Sequence, residues 1–133
     1  MTDKSKKILS EISPGELLDK LSILEIKLDK ISDKDKHELV KKEYASLIKV
    51  RDLNINLTDN VKDLFENLKK INLNLWDIED KIRICEKNKT FDKNFIELAR
   101  NVYLNNDKRA KIKYDINKIL DSKIQEIKQY IEY

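Results

Sequence analysis

Apolar side chains recur along this chain at intervals of three and four residues, and several stretches keep that rhythm long enough to define helices. The first opens at Ser13-Pro14-Gly15-Glu16. Ser13 can cap the backbone, Pro14 suits the first helical position, and Glu16 can reach back to complete a capping box. Leu17, Leu21, Leu24, Leu28 and Ile31 then line one face of a helix over about residues 14–31. Ser32, Asp33 and Asp35 mark a second start, with acids where the positive end of the helix dipole favours them. A weaker stripe of Val40, Tyr44, Leu47 and Ile48 carries this helix to about Leu53, and Asn54 and Asn56 favour a connector after it.

The best-patterned segment opens at Thr58 and Asp59, with Val61, Leu64, Leu68, Ile71, Leu75, Ile78, Ile82 and Cys85 in strict three-four alternation. That spacing predicts a helix roughly 40 Å long at about 1.5 Å per residue. The pattern breaks over residues 87–90, and Asp92 can cap a fourth helix whose first stripe is Phe95, Ala99 and Val102. Around Asn105, Asn106 and Asp107 the stripe lapses and resumes on a shifted face at Ile112, Ile116 and Ile119; a continuous helix with a polar interruption is preferred over a break. Asp121 and Ser122 can begin a short fifth helix carrying Ile124, Ile127 and Ile131, with Gln125 completing a second capping box.

The expected fold is therefore all-α, an elongated antiparallel helical bundle built on a long hairpin of the third and fourth helices, whose seam the two shorter helices cover. A stripe this regular can also serve a coiled coil between two copies of the chain. With one Gly and one Pro, the sequence lacks the residues that make hairpin turns cheap. Charged residues make up 40% of it, and that much charge needs the broad polar faces that amphipathic helices provide. The length suits a single helical domain over residues 1–133, with 1–12 as a loosely ordered N-terminal arm. No run reaches the length of a membrane span, the basic start has no apolar core for a secretory signal, and Cys85 is alone, so a cytoplasmic location is expected.

Net charge is only +3, and the two signs alternate instead of forming blocks, so nothing requires an anionic partner. On the third helix Trp76, Glu79, Asp80 and Arg83 share one side. They can form a pocket wall with a carboxylate and guanidinium set; the plainer reading is a Trp sealing the core over a surface ion pair. On the fourth helix Arg100, Tyr103, Asp107, Ala110, Tyr114 and Asn117 make a polar face that wants a polar partner. That partner can be the Glu79, Asp80 and Arg83 side of the third helix, or a ligand whose phosphate or carboxylate is held by Arg100 and Arg109. Glu25, beside the stripe of the first helix, can turn toward these arginines. With Glu16, Asp19, Glu79 and Asp80 it forms the one carboxylate set that could hold Mg²⁺, and Glu16-Leu17-Leu18-Asp19 matches two residues of an element of the all-α nucleotide pyrophosphohydrolases. His37 reads as a solvated side chain and Cys85 as a buried structural thiol. Lys108, Arg109, Lys111 and Lys113 with Tyr103 and Tyr114 form the densest basic patch, which can bind phosphate backbones or be a solvated face.

Three blocks, SPGELLDKLSILEIK at 13–27, LWDIEDKIRICE at 75–86 and FDKNFIELARNVYLNNDKRAKIKYDIN at 91–117, together resemble an uncharacterised family of small all-helical proteins of bacteria and tailed phages. The resemblance implies no assigned activity and no catalytic residues; some family members lie near genes for surface-polysaccharide synthesis. It directs attention to Glu16, Lys20, Glu25, Trp76, Glu79, Asp80, Arg83, Arg100, Asn106, Asp107 and Arg109. The leading reading is a non-enzymatic interaction or scaffold protein that needs no cofactor or metal, partnered by a second copy or another protein and not by a membrane. The alternative is a phosphate-, nucleotide- or nucleotide-sugar-binding protein or enzyme. Its candidate polar cluster is Glu25, Trp76, Glu79, Asp80, Arg83, Arg100, Tyr103, Asp107 and Arg109. Nucleic-acid binding stands third.

Overall fold

The computed structural model describes residues 6–133, and among them the only regular elements are four helices: α1 (Pro14–Lys30), α2 (Lys34–Asn54), α3 (Asp59–Asn88) and α4 (Lys93–Ile119). Each starts where a side chain can accept a backbone N–H left over at a helix end. Ser13, Asp33, Thr58 and Asp92 are the N-caps, so α2 is capped by Asp33 and not by Ser32. Glu16 does not complete a capping box; its carboxylate reaches Lys113 of α4 instead, at 2.9 Å. Helix α3 ends at Lys89 in the left-handed conformation (φ 51°), and the turn that follows returns the chain along itself as α4.

Helix α4 continues through the polar interruption at residues 105–107. Asn105 faces inward, and its amide donates to the carbonyl of Asn101 at 2.7 Å, so the residue that could have broken the helix satisfies itself within it.

The long hairpin of α3 and α4 is the spine, and α1 lies along it antiparallel to α4, with Gly15 beside Asn117 and Asp19 beside Arg109. The arrangement of the two shorter helices differs from the expected one. Only α1 covers the hairpin seam, and α2 packs on α1. The reason is visible in α1, which carries two inward faces: Leu17, Leu21 and Leu24 on one, and Gly15, Asp19, Ser22 and Ile26 on the other. A helix buried on both sides sits between its neighbours. Leu17, Leu18, Leu21, Ile55, Val61, Leu68 and Ile116 form the core at the end of the bundle where α1 begins, with Tyr44, Leu47 and Ile48 of α2 packed against them. His37, expected in solvent, donates from Nε2 to the carbonyl of Leu28 at 3.0 Å and ties the start of α2 to the end of α1. Cys85 is buried, as its seam position predicts.

Residues 123–133 form no helix. Ser122 closes a local turn by accepting from the N–H of Ile124, and the segment then runs back along α4 in irregular conformation. A helix of about ten residues is marginal in water without tertiary support, and this segment makes its contacts to α4 without forming one.

Candidate functional site

The polar groups inside this bundle are centred on Asp19, whose residue is 1% exposed. A carboxylate that deep carries a large desolvation cost unless its oxygens are bonded. Arg109 supplies a two-point clamp, Nε to Oδ1 at 2.8 Å and Nη2 to Oδ2 at 2.5 Å, and Asn72 donates to Oδ1 at 2.9 Å. The same Asn72 amide reaches Ser22 Oγ at 2.7 Å, and Ser22 donates to the carbonyl of Asp19 at 2.7 Å. Three helices thus meet at one carboxylate, and the hydrogen bond to Asp19 holds the Arg109 pKa above its usual value. Among the described residues no buried side-chain nitrogen or oxygen lacks a partner.

Toward the start of α1 a second pair sets the spacing of α1 and α4. The N–H of Gly15 donates to Asn117 Oδ1 at 2.7 Å. Nearby, the buried ammonium of Lys113 bridges Glu16 and Glu126, each at 2.9 Å. Burial pulls the Lys113 pKa down, but the hydrogen bonds to Glu126 and Glu16 outweigh it and hold the value above the usual one. Glu126 is held below its usual value by the same Lys113 contact. A carboxyl depressed on folding adds stability that is present above its unfolded value and is lost as the pH falls through the folded one. The C-terminal segment should therefore loosen as the pH drops below ~4.3, the ordinary glutamate value. Glu126→Gln should weaken this contact at neutral pH by about 0.5–1 kcal/mol and abolish the acid-dependent step, read from backbone amide exchange of residues 121–133. An unchanged acid profile in that variant would contradict the assignment.

Past Ile26 the cover of α1 runs out while α3 and α4 continue, and a cleft of about 390 Å³ opens between them. Ile23, Ile26, Leu75 and Val102 give it an apolar floor, Trp76 forms one wall, and Asn72, Glu79, Asp80, Asn106 and Arg109 are the polar groups at its border. Glu79 is engaged by Arg83 at 3.0 Å, and Arg109 by Asp19. The carboxylate of Asp80 and the indole N–H of Trp76 have no hydrogen-bond or ion-pair partner among the described residues.

The candidate residues thus separate. Trp76, Glu79, Asp80 and Arg109 line one cleft, together with Asn106. Arg83 does not line it; exposed, it pairs with Glu79 one turn back along α3. Arg100 is exposed and pairs with Glu97 at 3.0 Å, so Arg83, Arg100 and Arg109 of the candidate polar cluster are not assembled. Glu25 turns away from all of them and accepts from Tyr44 at 3.0 Å and Lys69 at 2.9 Å, which holds α2 and α3 to α1. Tyr103 and Asp107 meet the C-terminal segment: the two rings of Tyr103 and Tyr133 pack edge to face 5.4 Å apart, and the Tyr133 hydroxyl donates to Asp107.

The polar face of α4 therefore finds its partners in α1 and in the chain's own C-terminal segment, not in the Glu79, Asp80 and Arg83 side of α3. The Mg²⁺ set is not assembled either: Asp19, Glu16 and Glu25 are each taken by a cation, and among the described residues no three His, Cys, Asp or Glu side chains converge on a metal position. Of the basic patch, Arg109 and Lys113 point inward and Lys111 pairs with Asp115. Among the described residues no helix is long and apolar enough to cross a membrane.

Fold and site together define a small all-helical bundle with an ionic lock at its centre and a mixed aromatic and polar cleft beside it. The profile of DUF6165, a family of unknown function, matches residues 8–132, and the chain belongs to that family. Neither a curated protein nor a solved structure matches it.

Proposed function

We propose that the chain is a non-enzymatic helical binding protein whose working surface is the cleft beside Trp76. The observation that carries this reading is the state of the groups around that opening. Arg109, Asn72 and Glu79 are matched by neighbours in the chain, whereas Asp80 and the Trp76 N–H stand unmatched on the cleft wall. A concave surface with an apolar floor and a few convergent polar groups is the usual form of a small-ligand site, and about 390 Å³ lies at the small end of the range. A second reading, a protein partner or a second copy of the chain, draws support from Ile84, Phe91 and Ile96, which are exposed near the hairpin turn.

A thermal-melt panel of small amines, polyols, sugar phosphates and nucleotides tests the proposal. A ligand at 100 times its dissociation constant stabilises by roughly 2.7 kcal/mol, a shift of several degrees for a chain of this size. The expected result is a stabilising compound whose effect disappears in Trp76→Ala. Stabilisation that survives this change would move the site elsewhere. Silence across the panel, with a dimer in sedimentation that Ile96→Asp dissolves, would favour the second reading.

A further inference from the structure

Resting on the reading of the cleft as a binding surface, we infer that it takes an organic cation: a protonated amine or guanidinium on a short apolar stem. The charge balance at the opening leads to this class. Two of the three carboxylates near it are already neutralised, Asp19 by the two-point clamp of Arg109 and Glu79 by Arg83, so the unpaired charge on the wall is the carboxylate of Asp80. Arg109 has turned its Nε and Nη2 edge to Asp19 and is fixed there; an incoming anion would have to compete with a buried carboxylate for that edge and would also face Asp80.

A cation meets no such conflict. Asp80 lies one turn along α3 from Trp76, so the two can act on one group, the carboxylate as ion-pair partner and the indole face through its negative quadrupole. The floor of Ile23, Ile26, Leu75 and Val102 accepts the methylene stem that carries such a charge. The cation can be a free amine or the Lys or Arg side chain of a partner, since both present the same chemistry to the wall.

Trp76 is the sole tryptophan of the chain, so its fluorescence reports on this cleft without interference. The purified chain of residues 1–133 is titrated with agmatine, n-butylammonium and a blocked Gly-Arg-Gly peptide, against inorganic phosphate and erythritol as anionic and neutral probes. Saturable change is expected with the cations only, with at least a tenfold weaker Kd in Asp80→Asn and no change in Glu86→Gln, a carboxylate on the same helix that pairs with Lys89 away from the cleft. Asp80 is exposed, so its amide variant should melt like the parent, and that melt is recorded beside the titration. Tighter binding of agmatine than of the peptide assigns a free amine; the reverse order assigns a partner's side chain. Saturation by phosphate or erythritol but not by the cations would overturn the cation class and leave the cleft as a binding surface. No response to any probe, in fluorescence or melt, would overturn both.

Discussion

Arg109→Ala is expected to lower the unfolding free energy by about 3–5 kcal/mol, because it leaves the carboxylate of Asp19 buried without its charged partner. For a chain of this length that corresponds to a fall in Tm on the order of 10–20 °C, and urea unfolding followed by circular dichroism measures it directly. The reciprocal change should cost less. In Asp19→Ala the stranded group is a guanidinium that is 28% exposed and can reach water, whereas Asp19 in the first variant has nowhere to go. The double variant should lose less than the sum of the two, since neither charge is then left alone. A loss below about 1 kcal/mol in Arg109→Ala would contradict the account of Asp19 as the point where three helices are tied.

Gly15→Ala should destabilise by about 1–3 kcal/mol, the opposite of what helix propensity alone would give. Near a helix start, Ala in place of Gly ordinarily stabilises by roughly 0.4–1 kcal/mol through the unfolded chain. Here a Cβ on residue 15 would lie 2.7 Å from the carbonyl oxygen of Lys113 and 2.8 Å from Asn117 Oδ1. The side-chain amide could turn aside, but the backbone carbonyl cannot, so α1 would have to move away from α4. That shift would stretch the 2.7 Å bond from the Gly15 N–H to Asn117 and disturb the clamp on Asp19 one turn further along. Adding Asn117→Ala should therefore not rescue the variant. Denaturant unfolding is the check, and a neutral or stabilising result would mean that the two helices do not approach so closely.

The helices are legible in the apolar spacing because each is amphipathic and each begins at a residue able to cap it. The buried ion pair is harder to read, although its signal is present. On α4 the positions 98, 102, 105, 109, 112 and 116 keep the three-four rhythm without a gap, and Asn105 and Arg109 occupy two of them. The apparent lapse of the stripe is thus a pair of polar residues on the seam itself. On α1, Gly15, Asp19, Ser22 and Ile26 keep the same rhythm on a second face, and a small or charged residue at such a position marks a buried contact as surely as a leucine does. What spacing within one helix cannot reveal is that Asp19 and Arg109, 90 residues apart, meet each other. The same limit hides the pairing of Glu25 with Tyr44 and Lys69, and with it the loss of the expected arginine cluster. The C-terminal segment misleads for another reason. Ser122, Gln125 and the isoleucines that follow satisfy the local rules for a helix, but the segment reaches Lys113 and Asp107 of α4 in irregular conformation.

We propose the cleft beside Trp76 as the surface where this bundle binds, with the Asp19 and Arg109 pair beneath it as structure. The indole N–H of Trp76 gives a single cross-peak in a proton–nitrogen NMR spectrum, because the chain has one tryptophan. For any compound that raises the Tm, that peak should move in proportion to saturation, together with the backbone peaks of Asp80 and Asn106. A stabilising compound that leaves the Trp76 peak in place while shifting peaks elsewhere would place the binding surface outside this cleft.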